Sequence, residues 1–318
     1  MTGKTRRTVL IFAAVAVAVG LGTSRTAPGA TAVRRFFFSG DGTLTLQNAH
    51  NGERIKAHYR RADGSYDPKV LADLRHFLRS RGDNREGDLS LRLIEQLDYI
   101  EDLARPRRLL LDSGYRSPDY NGEIRARGGR VASTSLHTQG LAADLQFVGE
   151  NTRRLWQRIR ATGCCGVGYY KDGNFLHIDV GPPRFWEAAT SKVDQNLSEG
   201  NARVFARTDF DRYQQLDGAV VQLYSVTAFP LRVAATAQVI GGPQPTEAKL
   251  APAGDVEADG ACLRIDGGNQ NRFRITGSGA IPTGRRVHLQ LSTCVPRIER
   301  TPEQIETNEF EVQENTDQ

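Results

Sequence analysis

With 318 residues, 39% of them hydrophobic and 25% charged, the chain has the length for about two domains and the composition of a soluble globular protein. Its formal charge of +5 suggests an anionic partner, but Lys4, Arg6, Arg7 and Arg25 all lie in the first 32 residues, which contain no acid. The remainder carries +1, so composition gives no case for nucleic acid as a partner.

Residues 1–32 read as an export signal: basic residues first, an apolar run from Val9 to Leu21, then small residues to Ala32. The run is shorter than the ~20 apolar residues of a comfortable membrane span, so contact with a membrane is expected only in transit. Thr5-Arg6-Arg7-Thr8-Val9-Leu10 looks like a twin-arginine signal; an ordinary secretory signal that happens to hold two arginines, or an uncleaved anchor, are the other readings. The destination is the periplasm or cell envelope, where disulfides persist.

Leu44 to His50 alternates, and Asn51-Gly52-Glu53 is a hairpin signal leading into Arg54–Tyr59, with His50 and His58 as exposed hairpin histidines. Asp67-Pro68 opens a first helix with Leu71, Leu74, Phe77 and Leu78 at helical spacing; a second helix spans Ser90 to Ala104 and stops at Pro106. Arg108 to Arg116 is a strand running into a turn that Ser117-Pro118 ends, and Asn121 to Arg127 is a short helix. Arg116 stands at the strand end, where its guanidinium could grip a carboxylate, although a lone arginine is as readily a surface ion pair.

The chemistry gathers between Ser135 and Asp179. Ser135-Leu136-His137-Thr138-Gln139-Gly140-Leu141-Ala142-Ala143-Asp144 precedes a core strand from Leu141 to Phe147, an amphipathic helix from Thr152 to Thr162, and strands at Gly166–Tyr170 and Phe175–Val180. His137, Asp144 and His177 offer two imidazoles and a carboxylate, a donor set suited to zinc, and three protein ligands leave a fourth position open, as in catalytic rather than structural sites. His177 and Asp179 are two apart and face one side of their strand, with Ile178 and Val180 on the core side. The class is α+β: helices packed on an antiparallel sheet, with the site on one face.

From about Ser191 the character changes. Residues 191–201 form a polar linker, and 202–297 form a small β-rich region with strands near 202–206, 219–224, 231–235, 262–265, 271–275 and 286–291 and a long Gly/Pro/Ala-rich loop over 241–260. Residues 298–318 are acidic and read as a disordered tail. Four cysteines allow three pairings. Cys262–Cys294 is the favoured staple, because a bridge between the neighbours Cys164 and Cys165 is strained and these two read better as buried small residues. Their nearness to the site keeps a zinc–thiolate reading in view.

The pattern Ser-x-His-x-x-Gly-x-Ala-x-Asp, followed by a strand histidine, resembles the LAS zinc peptidases (lysostaphin, D-alanyl-D-alanine metallopeptidases, hedgehog). Within that group residues 35–190 resemble the MepK-like murein endopeptidases, through Leu46–Glu53, Ser113-Gly114-Tyr115-Arg116-Ser117-Pro118, the metal motif, Gly166–Tyr170 and Leu176–Gly181. The resemblance implies a hedgehog/D,D-peptidase-like fold over 33–190, zinc on His137, Asp144 and His177, and peptidoglycan stem peptides or cross-links as substrate. Many relatives carry an acid three residues before the last histidine; here that position is Asn174, which cannot act as a base. Asp179 is then the nearest candidate base, its other role being to orient a histidine. Arg116 would take a substrate carboxylate or the developing oxyanion, and Ser135 and Gln139 would shape the site. The missing acid leaves a second reading, a non-catalytic zinc-stabilised protein that binds the wall or an envelope partner, and a third, a hydrolase of other peptides. The C-terminal region would help hold the chain on the wall or on an envelope partner.

Overall fold

Alternation at Leu44 and Leu46 and the turn at Asn51-Gly52 fold β1 (Thr43–Asn48) and β2 (Arg54–His58) into an antiparallel hairpin in the computed structural model, with Thr43 opposite His58 and Gln47 opposite Arg54. The residues described are 35–129, 131–132, 135–188, 204–225, 230–244, 246–253, 258–267, 270–295 and 301–313. They belong to one compact unit, Ala32–Gln318. The expected export segment 1–32 and linker 191–201 lie outside the described residues.

Helix α1 (Pro68–Phe77) starts on proline, and Asp67 Oδ1 accepts from the Lys69 and Val70 N–H groups at 3.0 and 3.2 Å. Helix α2 (Leu91–Ala104) ends where Arg105 turns left-handed ahead of Pro106. After β3 (Arg108–Ser113) comes α3 (Pro118–Ala126), which starts earlier than the sequence suggests. Ser117-Pro118 does more than end the strand: Ser117 Oγ accepts from Tyr120 N–H at 3.0 Å and Pro118 enters the first turn, where its missing N–H costs nothing. A 3₁₀ turn (Leu136–Gln139) then leads into β4 (Ala142–Val148), α4 (Thr152–Thr162), β5 (Gly166–Tyr170), β6 (Phe175–Asp179) and β7 (Arg184–Glu187).

These strands form one sheet in the order β2-β1-β3-β4-β6-β5-β7. The sheet is mixed, not antiparallel throughout. The pair of helices between β2 and β3 acts as a crossover, so β3 lies parallel to β1, and β7 passes to the free edge of β5 and runs parallel to it. One face is apolar: Leu109, Leu111, Leu145, Phe147, Val167 and Leu176 share a core with Leu97 and Ile100 of α2 and Leu155 and Ile159 of α4. Each such side chain, fully buried, contributes about 1.5–3 kcal/mol. On the other face, register aligns Asp144 with His177, His177 with Gly168, and Gly168 with Trp186 in one row across four strands.

The C-terminal region forms a second sheet from β8 (Val204–Thr208), β9 (Arg212–Tyr213), β10 (Val220–Ser225), β11 (Leu231–Ile240), β12 (Thr246–Pro252), β13 (Ala258–Asp259), β14 (Cys262–Ile265), β15 (Gln270–Ser278), β16 (Arg286–Thr293), β17 (Gln304–Glu306) and β18 (Phe310–Val312). Two expectations fail here. The loop expected over 241–260 contains β12, whose Ala248 and Leu250 are buried. The tail expected to be disordered supplies β17 and β18, which pair with β16 and bury Ile305 and Phe310. Cys262 and Cys294 are bonded, with Cα atoms 6.5 Å apart. Cys164 and Cys165 are bonded to each other as well, contrary to the expectation of two unpaired thiols; they meet in the tight connection between the helix-capping Gly163 and the start of β5 at Gly166. Among the described residues, no helix is long and apolar enough to cross a membrane.

Candidate metal centre

The loop before β4 is shaped to present His137. Ser135 Oγ accepts from His137 N–H at 3.3 Å, and Gly140 closes the 3₁₀ turn in the left-handed region. Only glycine fits there, since a Cβ would lie 1.6 Å from the carbonyl oxygen of Asp88. His137 Nδ1 donates to the Gly114 carbonyl at 2.7 Å, which fixes the tautomer and turns the lone pair of Nε2 outward. On β6, His177 Nε2 donates to Asp179 Oδ2 at 3.0 Å and leaves Nδ1 as the free donor atom.

Those two nitrogens and Asp144 Oδ1 converge. His177 Nδ1 is 2.9 Å from Asp144 Oδ1, and His137 Nε2 is 3.2 Å from both. A tetrahedral ion with ligand bonds of about 2.0–2.2 Å spaces its ligands roughly 3.3–3.6 Å apart, so the donor set matches such an ion in kind and needs only a few tenths of an ångström of opening to admit it. Neither Cys164 nor Cys165 belongs to this cluster.

Two expected roles change. Arg116 is buried, its Nη2 donates to Asp144 Oδ2 and its Nε to Ser113 Oγ at 2.8 Å. It therefore holds a member of the cluster, which is the ion-pair reading with a buried partner and not the grip on a substrate carboxylate. Asp179 is fully buried and its oxygens are occupied by His177 Nε2, the Gly181 N–H at 2.8 Å, and Arg184 Nη1 and Nη2 at 3.2 and 2.8 Å. It sits behind the His177 ring, on the nitrogen turned away from the cluster. From there it orients the imidazole and is not placed to act as the base.

The electrostatics follow from this wiring. Burial, with the Arg116 guanidinium, pushes the His137 imidazole below its usual pKa, which keeps it neutral as a ligand must be. Burial opposes charge on His177 too, but hydrogen bonds to Asp144 and Asp179 outweigh it and raise its pKa. Asp144 is held well below the usual carboxylate range: burial works against this, and His137 and Arg116 prevail. Asp179 is lowered as well, its burial overcome by His177 and Arg184.

Ser135 caps the turn that carries His137, and Gln139 is buried in the same turn. Residues that sequence reasoning missed complete the surroundings. The Gly114 carbonyl and Arg184 fix the two histidines at one remove. The Trp186 ring lies 5.3 Å from the His177 ring, and its Nε1 donates to Tyr170 Oη at 3.3 Å. Tyr170 stacks in turn on Phe175 at 4.5 Å, so an aromatic bank borders the cluster. Trp186 could have been found only from the parallel register of β5 with β7. Asn174 Oδ1 accepts from Thr152 Oγ1 at 2.7 Å. Across the site, Gln146 Nε2 donates to both oxygens of Asp112 at 2.9 Å. Gln146 is two residues from Asp144 on β4, so this pair shares the site face. Burial raises the Asp112 pKa, and the neighbouring Asp144 adds to the rise.

A buried His₂–carboxylate cluster on one face of an α+β sheet is a donor set of the kind that metallopeptidases use. Residues 39–186 match the family described as peptidoglycan L,D-endopeptidase MepK. MepK of Escherichia coli K12 is 43% identical over 147 residues, 45% of this chain and 79% of that protein, and MepK of Shigella flexneri shows the same values. The probable MepK of Haemophilus influenzae is 30% identical over 146 residues, 45% of this chain and 78% of its own length. The chain belongs to the MepK family. No solved structure matches it.

Proposed function

We propose that this protein is a zinc-dependent endopeptidase that hydrolyses L,D peptide cross-links of peptidoglycan during remodelling of the cell wall. The observation that carries the reading is the convergence of His137 Nε2, Asp144 Oδ1 and His177 Nδ1 within 3.2 Å of one another, on a chain whose relatives are named L,D-endopeptidases. These three atoms would hold the ion. Bound zinc would supply a Lewis acid for the scissile carbonyl and a water activated near neutral pH.

The chain's own residues do the rest. Gly114, Asp179 and Arg116 fix the three donors by accepting from His137, accepting from His177 and donating to Asp144. Asp112 is the carboxylate we assign to the proton transfer: it lies on the site face, is tied only to a neutral amide among the side-chain bonds described, and has its pKa raised by burial. The aromatic bank of Trp186, Tyr170 and Phe175 offers a wall for the stem peptide. Export to the envelope fits such a substrate, with residues 1–32 as the signal and Arg6-Arg7 as its twin-arginine pair. Residues 204–313 lie beyond the family match, and we assign them to attachment to the wall or to an envelope partner; unaltered binding to sacculi by a chain lacking them would end that assignment.

The test is digestion of purified sacculi by the zinc-loaded protein, with products resolved by chromatography and mass spectrometry. Loss of L,D-cross-linked dimers, with monomers gained, is the expected result, abolished by chelation and by His137→Ala. Intact sacculi with one zinc bound per chain would favour the non-catalytic wall-binding reading instead.

A further inference from the structure

Away from the metal centre, a second group of acids gathers where the chain enters β1. Asp98, Glu101 and Asp102 stand at i, i+3 and i+4 on one face of α2, where like charges repel. Asp41, in the turn before β1, joins them, and one carboxylate oxygen from each of Asp41, Asp98 and Asp102 lies within 4.8 Å of the others. Asp41 and Asp102 are exposed, whereas Asp98 is 0% exposed.

Asp98 is the second, independent sign of a ligand. Its Oδ2 accepts from Tyr59 Oη at 2.6 Å and from the Gly42 N–H at 2.8 Å. Its Oδ1 is buried and has no hydrogen-bond partner among the described residues. The turn is drawn so tightly over this carboxylate that a Cβ on Gly40 would lie 2.2 Å from it. A buried acceptor without a donor costs ~1–3 kcal/mol, more when charged. The nearby arginine does not relieve it, because Arg60 is engaged by Glu95, Ser39 and the Gly40 carbonyl. Burial first, then the neighbouring acids, push Asp98 up to about 6 and Glu101 up to about 7.

We propose that Asp41, Asp98 and Asp102 form a binding site for a hard divalent cation, calcium before magnesium, which ties the turn ahead of β1 to helix α2. The donors are all oxygen, which selects hard cations over zinc. One buried and two exposed carboxylates leave room for several waters in an irregular shell, which calcium accepts and magnesium's near-ideal octahedron does not. The buried Asp98 carboxylate would gain a counter-charge, and the repulsion along α2 would be neutralised. The site uses no residue of the zinc cluster.

Terbium provides a direct probe, because Tyr59 Oη is 2.6 Å from the Asp98 carboxylate and can sensitise a lanthanide bound there. The full-length, zinc-loaded protein is titrated with terbium under tyrosine excitation, with zinc content measured in parallel. The expected result is saturable luminescence from one ion per chain, lost on adding calcium at lower concentration than magnesium, with zinc retained. Asp102→Asn and Asp41→Asn, both at exposed positions and keeping a side-chain oxygen as acceptor, should each weaken terbium and calcium binding at least about tenfold. Calcium should raise the melting temperature of the parent protein and not that of Asp102→Asn. The proposal is overturned by luminescence that does not saturate, by equal affinities in the two variants and the parent, or by release of zinc as terbium binds. Magnesium displacing terbium before calcium would overturn the choice of calcium.

Discussion

The two halves of this molecule bury different things. Around the first sheet the interior holds Arg60, Glu95, Asp98, Arg116, His137, Asp144 and Asp179, all nearly inaccessible to water. Across residues 204–313 the described interior is mainly aliphatic and aromatic, from Val221 and Leu223 to Phe273 and Leu289, with a few neutral polar groups such as Asn271, and its buried charge is Asp211. That exception sits at the seam, where it accepts from Arg92 of α2 and from the Phe37 N–H, and where Phe36 packs on Phe210 at 5.5 Å. Burying a charge costs stability unless it is fully paired. A protein that concentrates the cost in one half keeps it for chemistry and leaves the other half to hold shape. The comparison predicts that substitutions in the first half change turnover and metal binding, and those in the second change stability or attachment and leave turnover per folded molecule unaltered.

The largest effect should come from His137→Ala. It removes a donor and should abolish cleavage of sacculi and zinc retention, while the near-ultraviolet signal of the β region stays unchanged. Loss of that signal would mean the halves are not independent. Next, Asp112→Asn should lower kcat by roughly 10²–10⁴ with zinc affinity intact, as removal of a base does. Asp179→Asn should differ in kind: a loss of about 10–100-fold in zinc affinity, with cleavage largely recovered at saturating zinc. If Asp179→Asn instead lost turnover at full zinc occupancy and Asp112→Asn did not, the two roles would be reversed.

In the second half the corresponding cut is the Cys262–Cys294 bridge, which closes a loop with a sequence separation of 32. Replacing both by serine should cost about 3–4 kcal/mol of unfolding free energy in the chain-entropy view. Turnover per folded molecule should not change. A drop in kcat from this pair would show that strain passes through the seam into the site.

The contrast also explains what could be read from the sequence. His137, Asp144 and His177 were legible because the chemistry of a donor set survives without knowledge of the fold, and strand parity put His177 and Asp179 on one face. Parity could not say which ring nitrogen Asp179 would meet, and that decides between base and orienting group. Arg116 stayed open between a substrate grip and an ion pair for a similar reason: its partner, Asp144, is brought to it by the pairing of β3 with β4, at a bulge between Leu111 and Ser113. The parallel pairings β1–β3 and β5–β7 depend on where helices cross over, and Trp186 reaches the site only through the second of them. In the tail, Ile305 and Phe310 are isolated apolar residues among polar ones, too sparse for a period to show. They become strands because β16 offers an edge to pair with.

The smallest effect tests whether buried charge in the first half is always committed to the candidate metal centre. Asp98 and Glu101 have folded-state pKa values raised to about 6 and about 7, through burial first and then their acidic neighbours. Facing Asp98 are Tyr59 and Asp41 from outside α2, and Asp102 from its own helix; Arg60 points to Glu95. The folded chain therefore holds these protons to higher pH than the unfolded chain, and stability from them is full near pH 4 and falls as pH rises through 6 to 7. In calcium-free buffer, with zinc content held constant, the melting temperature should decline over that window, and Asp98→Asn should flatten the decline. Calcium should flatten it too, because a bound cation replaces the lost protons. A melting temperature that falls equally with and without calcium, in protein whose zinc content is constant, would mean that the acids on α2 titrate without a bound ion.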